Sequence, residues 1–243
     1  MKHILKILID TSGNKYYVKD LQEDYHTKDG IIAKKDLKNK ETTITSSKGK
    51  MFFLLDPQFS DLWLSLKRGP QVMIQKDIGL ILAKTGVNGQ SRCVDAGGGS
   101  GSLCLSLANV VKEVATYEIN SENADIIQQN KEMFGFKNIE IKRVNIYSGI
   151  AEKNINLITL DLPEPWQVLP HAEKALLPGG HLVVYLPNLL QAKAFIDSCQ
   201  KSKINVIETV ELLERKWKIE EKILRPEFEM LGHTGFMIFC RKW

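Results

Sequence analysis

The 243-residue sequence contains no uninterrupted apolar run near the roughly 18 residues that a membrane-spanning helix needs, since its longest apolar stretches carry Lys, Asp or Gly. No membrane span is expected. Cysteine is scarce: Cys93, Cys104, Cys199 and Cys240 are too scattered for a disulfide framework and show no C-x-x-C or Cys/His spacing for zinc. Buried thiols and no metal are therefore expected. With only 8 Pro and 17 Gly, collagen-like and low-complexity classes are excluded, and 43% apolar against 26% charged residues excludes disorder. The N-terminus has a basic start and an apolar stretch, but Asp10 interrupts it and no small-residue cleavage site follows. The expected compartment is the cytoplasm.

The formal charge of +4 is unevenly placed: residues 1–68 hold 13 Lys+Arg against 9 Asp+Glu, and residues 69–243 hold 20 of each. Within the first segment Lys28, Lys34, Lys35, Lys38, Lys40, Lys48 and Lys50 face only Asp29, Asp36 and Glu41. A solvated surface explains such a run, and so does an anionic partner such as nucleic acid.

Residues 1–55 alternate short β-rich runs (ILKILI, KYYVKDL, GIIAKKDL, TTITS, KMFFLL) with turn signals at Ser12-Gly13-Asn14, Asp29-Gly30 and Lys48-Gly49-Lys50, which predicts a small all-β domain. Asp56-Pro57 then reads as an N-cap and first-turn proline. Phe59, Leu62, Trp63 and Leu66 follow at helical spacing, giving a linker helix over 56–68. From there to residue 243, strands alternate with helices, the mark of a parallel sheet with covering helices. Asp77 is expected to cap the first of these helices. The strands are 92–96, one ending at Tyr117-Glu118, 139–144, 156–160, and 181–186 after a tight turn at Pro178-Gly179-Gly180. Two final strands, 206–213 and 235–242, are separated by a long loop and no helix, so the last should run antiparallel.

The glycines of Val94-Asp95-Ala96-Gly97-Gly98-Gly99-Ser100-Gly101-Ser102-Leu103 sit between a strand and a helix, where a nucleotide cofactor meets the first βα turn. Gly97, Gly99 and Gly101 permit positive φ and close approach of a ligand. Glu118, 17 residues beyond Gly101 at the end of the next strand, can accept from both ribose hydroxyls of an adenosine. The spacing is G-x-G-x-G, with Ser102 where a dinucleotide fold places its third glycine. This favours S-adenosylmethionine, which has no phosphates. Asp161, in Leu160-Asp161-Leu162-Pro163-Glu164-Pro165-Trp166, follows the fourth strand at the edge where open α/β sheets bind ligands. Two prolines stiffen its surroundings. If the last strand is antiparallel, His233 and Thr234 reach the same edge.

These residues resemble the tRNA (adenine-N1)-methyltransferases that modify adenine 58 of the T loop, and in some archaeal members adenine 57. The resemblance runs from about Asp56 to Lys242 and is carried by R-G-P-Q before the first helix, D-A-G-G-G-S-G-S-L, the acid ending the second strand, L-D-L-P-E-P-W, and M-L-G-H-T-G-F. It implies a Rossmann-like class I S-adenosylmethionine-dependent methyltransferase domain with an antiparallel last strand, behind a small N-terminal all-β domain. The cofactor residues it implies are Val72, Asp95, Gly97, Gly99, Gly101 and Leu103, with Glu118, Asn145 and Ile146. Asp161 would be catalytic, and Gln71, Pro163, Trp166, Arg225, His233 and Thr234 would face the substrate. The resemblance further implies tRNA as partner and a homotetramer. Two departures stand out. Asn145 replaces the usual Asp after the third strand, while still able to accept through its carbonyl oxygen. Ile74 and Gln75 replace the Tyr-Pro of the family's Gln-x-x-Tyr-Pro-Lys-Asp, removing an aromatic beside the target base.

Two other readings share this fold. A protein carboxyl methyltransferase acting on damaged aspartyl residues would have no use for a Lys-rich N-terminal domain. A noncatalytic tRNA-binding subunit would be expected to lose the glycine loop or Asp161, and both are intact.

Overall fold

Alternating apolar residues in the first 55 positions pair into short antiparallel strands, because one face of each can be buried while the other stays wet. The computed structural model describes residues 4–69 and 72–243. The chain divides into two compact units, Met1–Lys67 and Arg68–Trp243. The first holds β1 (Lys6–Asp10), β2 (Lys15–Val18), β3 (Tyr25–Thr27), β4 (Gly30–Ile32), a helical turn α1 (Lys34–Leu37), β5 (Thr43–Thr45), β6 (Met51–Leu55) and helix α2 (Phe59–Trp63). Strands β2-β1-β6-β5 form one sheet and β3–β4 a separate hairpin, around Leu8, Val18, Ile32, Leu37 and Phe52. The small all-β sheets are as expected, with two local differences. The second half of GIIAKKDL is a helical turn, with Leu37 in the core. Helix α2 falls within the first unit and does not stand apart as a linker. Its N-cap is Gln58, whose N–H donates to the Asp61 carboxylate at 3.0 Å, while Asp56 pairs with Lys6.

The second unit runs α3 (Gln75–Thr85), β7 (Arg92–Ala96), α4 (Ser102–Ala108), β8 (Glu113–Tyr117), α5 (Ser121–Phe134), β9 (Ile139–Lys142), β10 (Ile155–Leu160), α6 (Leu169–Ala175), β11 (Leu176–Leu186), α7 (Leu189–Cys199), β12 (Ile204–Val210), β13 (Trp217–Glu220), β14 (Ile223–Pro226) and β15 (Phe236–Lys242). Its seven-stranded sheet has the order β12-β15-β11-β10-β7-β8-β9. The strands from β11 to β9 pair in parallel, and β15 is antiparallel to both β11 and β12, as the sequence predicts. The middle strands are buried along nearly their whole length, which is why they read as continuous apolar runs. All four cysteines are buried free thiols.

Three local expectations differ. Asp77 is not the cap of α3; Ile74 holds that place, and Asp77 lies fully buried in the first turn. Pro178-Gly179-Gly180 is not a turn before the fifth strand but lies within β11, where Gly179 has φ +81° and the pairing with β10 shifts register. The loop after β12 contains the hairpin β13–β14, which carries no strong alternation in sequence.

Register fixes the site. Ala96 is level with Leu160 and Tyr117, Leu160 with Val184, and Leu186 with Phe236. The residues just past these positions, Gly97, Glu118, Asp161, Pro187 and Gly235, therefore share one edge.

Candidate active site

The glycine loop leaves β7 under tight constraint. A Cβ on Gly97, whose φ is +81°, would stand 2.0 Å from the Asp161 carbonyl oxygen, and one on Gly98 would stand 2.7 Å from both Ile127 and Thr116. No side chain fits there, so the loop packs by its backbone against its neighbours. Gly101, at φ +86°, is the N-cap of α4. Glu118 completes the arrangement: Oε2 accepts from Gly99 N–H and Oε1 from Asn120 N–H, both at 2.8 Å. Each oxygen keeps a further lone pair for a ligand hydroxyl.

Three cavities open along this edge. One of about 190 Å³ is bounded by Gly97, Glu118, Asn145, Ile146 and Leu162. A small one of about 20 Å³ lies over the loop, against Asp95, Ser100, Leu103 and Asp161. The largest, about 430 Å³, is bounded by Val72, Met73, Ile74, Asp161, Tyr185 and His233, among others. A fourth, of about 230 Å³ beside Arg92, Glu113 and Asn138, opens at the amino ends of the strands, away from these groups. Asp161 and Met73 border both the loop cavity and the large one. The Asp161 main chain is anchored by its N–H to Ala96 O at 2.9 Å, and no hydrogen bond from the described residues reaches its carboxylate. Solvent enters through the cavities while protein packs round the other sides; that burial, with a smaller contribution from the Asp95 charge, pushes the carboxyl up to about 7. Asp95 differs. It is fully enclosed, which pushes it up to about 6 although Thr159 at 2.8 Å and Thr116 at 3.0 Å both donate to it.

The residues expected at the site separate into groups. Asp95, Gly97, Gly99, Leu103, Glu118, Asn145 and Ile146 line the cavities on the loop side. Ile146 is the first residue of a short 3₁₀ turn, so its N–H has no partner within that turn and can serve a ligand. Asn145 caps the turn: its side-chain oxygen accepts from Tyr147 N–H at 3.0 Å and keeps a second lone pair. Val72 borders the large cavity and neither of the other two, and Pro163 borders the cavity of about 190 Å³ and not the large one. His233 and Thr234 do reach the large cavity. His233 lies 2.6 Å from Glu211 Oε1 and 2.9 Å from Pro187 O, and these two acceptors raise its pKa, the carboxylate most. Trp166 packs against the sheet core, and Arg225 lies on β14 with its guanidinium 3.9 Å above the Phe228 ring; neither borders a cavity described here. Gln71 lies outside the described residues.

Sequence reasoning passed over Met73, Lys76, Ser100 and Tyr185. Tyr185 stands one residue before the end of β11, a placement legible in V-V-Y-L-P-N, and burial pushes its phenol up to about 12. The Ser100 hydroxyl is buried at the loop cavity without a hydrogen-bond partner. An orphaned hydroxyl, loop glycines that border the cavity with backbone alone, and a carboxylate with spare lone pairs fit the polar amino-acid and ribose groups of S-adenosylmethionine. Among the described residues no three His, Cys, Asp or Glu side chains gather as a metal site, and no helix is long and apolar enough to cross a membrane.

The family pattern described as "tRNA methyltransferase complex GCD14 subunit" matches residues 50–225. The tRNA (adenine(57)-N(1)/adenine(58)-N(1))-methyltransferase TrmI of Methanocaldococcus jannaschii is 33% identical over 97% of this chain and 94% of its own. Among solved structures, the tRNA (m1A58) methyltransferase TrmI of Aquifex aeolicus superimposes with a TM-score of 0.81 at 26% identity, covering 100% of this chain and 98% of the other. A Thermotoga maritima protein described as a SAM-dependent O-methyltransferase gives 0.85 at 29%, covering 100% and 94%. The sheet is thus the Rossmann-like one of the S-adenosylmethionine-dependent methyltransferases, and the chain belongs to the family of the tRNA methyltransferase complex GCD14 subunit.

Proposed function

We infer that this protein transfers a methyl group from S-adenosylmethionine to N1 of an adenine in the T loop of tRNA, at position 58 and, as in the Methanocaldococcus relative, also at 57. The observation that carries the reading is Asp161, whose carboxylate has no hydrogen-bond partner among the described residues where the loop cavity meets one large enough for a purine. When bound, S-adenosylmethionine supplies an electrophilic methyl group on a positively charged sulfur. Glu118 and the backbone of Gly97–Gly101 hold its adenosine and amino-acid parts. The target base must leave its stack in folded tRNA, at a cost of a few kcal/mol. Asp161 then accepts a hydrogen bond from the exocyclic N6 amine, which aims the N1 lone pair toward the loop cavity. Methylation leaves the purine cationic, and the same carboxylate, ionised, opposes that charge as it develops. Positioning provides most of the remaining acceleration.

The lysines at 34, 35, 38 and 40 are exposed and form no ion pair among the described residues, which suits contact with phosphates. The exposed Trp217, Ile219, Leu224 and Phe228 of the β13–β14 region support self-association, with a tetramer as the expected state. As a tRNA-modifying enzyme it would act in the cytoplasm. Incubation with labelled S-adenosylmethionine and unmodified tRNA, followed by nucleoside analysis, tests the reading. N1-methyladenosine is expected; label on a nucleoside oxygen or on protein carboxyl groups would replace it with the O-methyl or protein-methyl alternative.

A further inference from the structure

Lys76, in the first turn of α3, has a side chain only 6% exposed and lies against the fully buried Asp77. Its Nζ donates to Asp77 Oδ1 at 2.7 Å, to the Leu212 carbonyl at 2.6 Å and to Thr234 Oγ1 at 2.7 Å. An ammonium has three protons, and all three are placed. The second and third acceptors lie just after β12 and just before β15. They are the two ends of the excursion that carries the β13–β14 hairpin. Lys76 fastens both ends to α3, and the residues before α3, Val72–Ile74, border the same large cavity as Thr234 and His233. Glu211 and His233 close the same base with a second contact of 2.6 Å.

A buried ion pair is a weak device for stability, because desolvation offsets the attraction, and apolar residues of similar volume often serve as well. This one is also incomplete. Asp77 Oδ2 is buried without a well-formed hydrogen bond, although the nearby Tyr185 phenol senses its charge. What the pair does provide is geometry: one point joins three stretches of chain that have no backbone ladder between them at this place.

We propose that Lys76 is a positioning residue for methyl transfer, its ammonium fixing the 211–234 excursion against α3 and so setting the shape of the cavity that receives the base beside Asp161. The proposal rests on the functional reading above. It is tested with Lys76→Met, which keeps the aliphatic stem, and with the double variant Lys76→Met/Asp77→Asn, which also removes the stranded charge in case the single variant does not fold. In either, single-turnover methylation of tRNA is expected to slow at least tenfold while calorimetric affinity for S-adenosylmethionine stays within threefold. Amide hydrogen exchange over 211–234 should quicken at least tenfold. A purely structural lysine would alter cofactor affinity and rate together or neither. Exchange in the double variant matching wild type would overturn the clamp, and a methylation rate within twofold of wild type would overturn its role in transfer. Because exchange needs no substrate, these results are distinct from a wild-type protein that modifies no tRNA, which would overturn the functional reading itself.

Discussion

The two halves of the sheet edge are built by different means. At the ends of β7 and β8 the constraints fall on the backbone of one glycine loop: two glycines whose Cβ would collide with Asp161, Ile127 and Thr116, a third at a helix cap, and one carboxylate receiving N–H groups from Gly99 and Asn120. At the ends of β10, β11 and β15 the constraints are side chains from distant stretches, with Lys76 bonding across 136 and 158 residues. The first half is built round a loop that a short sequence marks. The second is a wall assembled only when the whole sheet has closed.

The sharpest way to separate the halves is at Asp161, which belongs to both. Asp161→Ala should leave the fold and tRNA affinity nearly intact but lower the methylation rate by about two to four orders of magnitude, since orientation and charge stabilisation act in the transition state. Asp161→Asn can still accept from N6 but cannot oppose the new charge; single-turnover rates equal to wild type for Asn would show that orientation alone suffices.

On the loop side, Glu118→Ala should weaken S-adenosylmethionine binding by roughly 1.5–3 kcal/mol, because charged hydrogen bonds to the ribose are lost and two backbone N–H groups are stranded. Unchanged affinity in calorimetry would remove Glu118 from the site. A smaller change, of opposite sign, is expected at Asn145. A carboxylate there would keep the cap on Tyr147 N–H and offer the cofactor amine a charged acceptor in place of a neutral one, so Asn145→Asp should tighten binding by about 1 kcal/mol. Equal or weaker affinity in the same titration would show that the amide is not directed at the adenine.

The subtlest difference is in pH dependence. Burial holds the Asp161 carboxyl near 7 in the folded chain, against 3.8 for an unperturbed one, so over this range the native state binds more protons than the unfolded state. Its contribution to stability is complete below about pH 4 and is lost as pH rises through 7. Denaturant midpoints for wild type should therefore fall relative to Asp161→Asn between pH 4 and 7; parallel profiles would mean that the carboxyl titrates normally.

Legibility in the sequence followed the same division. The strand at 92–96, the glycine loop and the acid at 118 are read from a few consecutive residues, because positive φ and a strand-to-helix turn demand glycine wherever they occur. The antiparallel β15 was also legible, since two strands without a helix between them cannot be parallel neighbours. The Asp56 cap and the Asp77 cap were misassigned because proline and aspartate signal helix starts only to within a turn. The first true start lies at Gln58, and Asp77 is drawn inward by Lys76. Arg225 and Trp166 sit within recognisable motifs, yet one lies on a hairpin with little sequence signature and the other packs on the sheet core.

The sequence by itself determined the main strands of the second unit, the glycine loop and the acid that follows the fourth strand, since these depend on residue spacing and on backbone conformations that few residue types can adopt. Only the tertiary structure decided that Asp161 borders two cavities with no hydrogen bond to its carboxylate among the described residues and that Asn145 caps the turn after β9. The joining of α3 to both ends of the 211–234 excursion by Lys76 was decided there too. Those facts depend on which side chains meet across the sheet edge, and such meetings are set by register and packing between segments that carry no mark of one another.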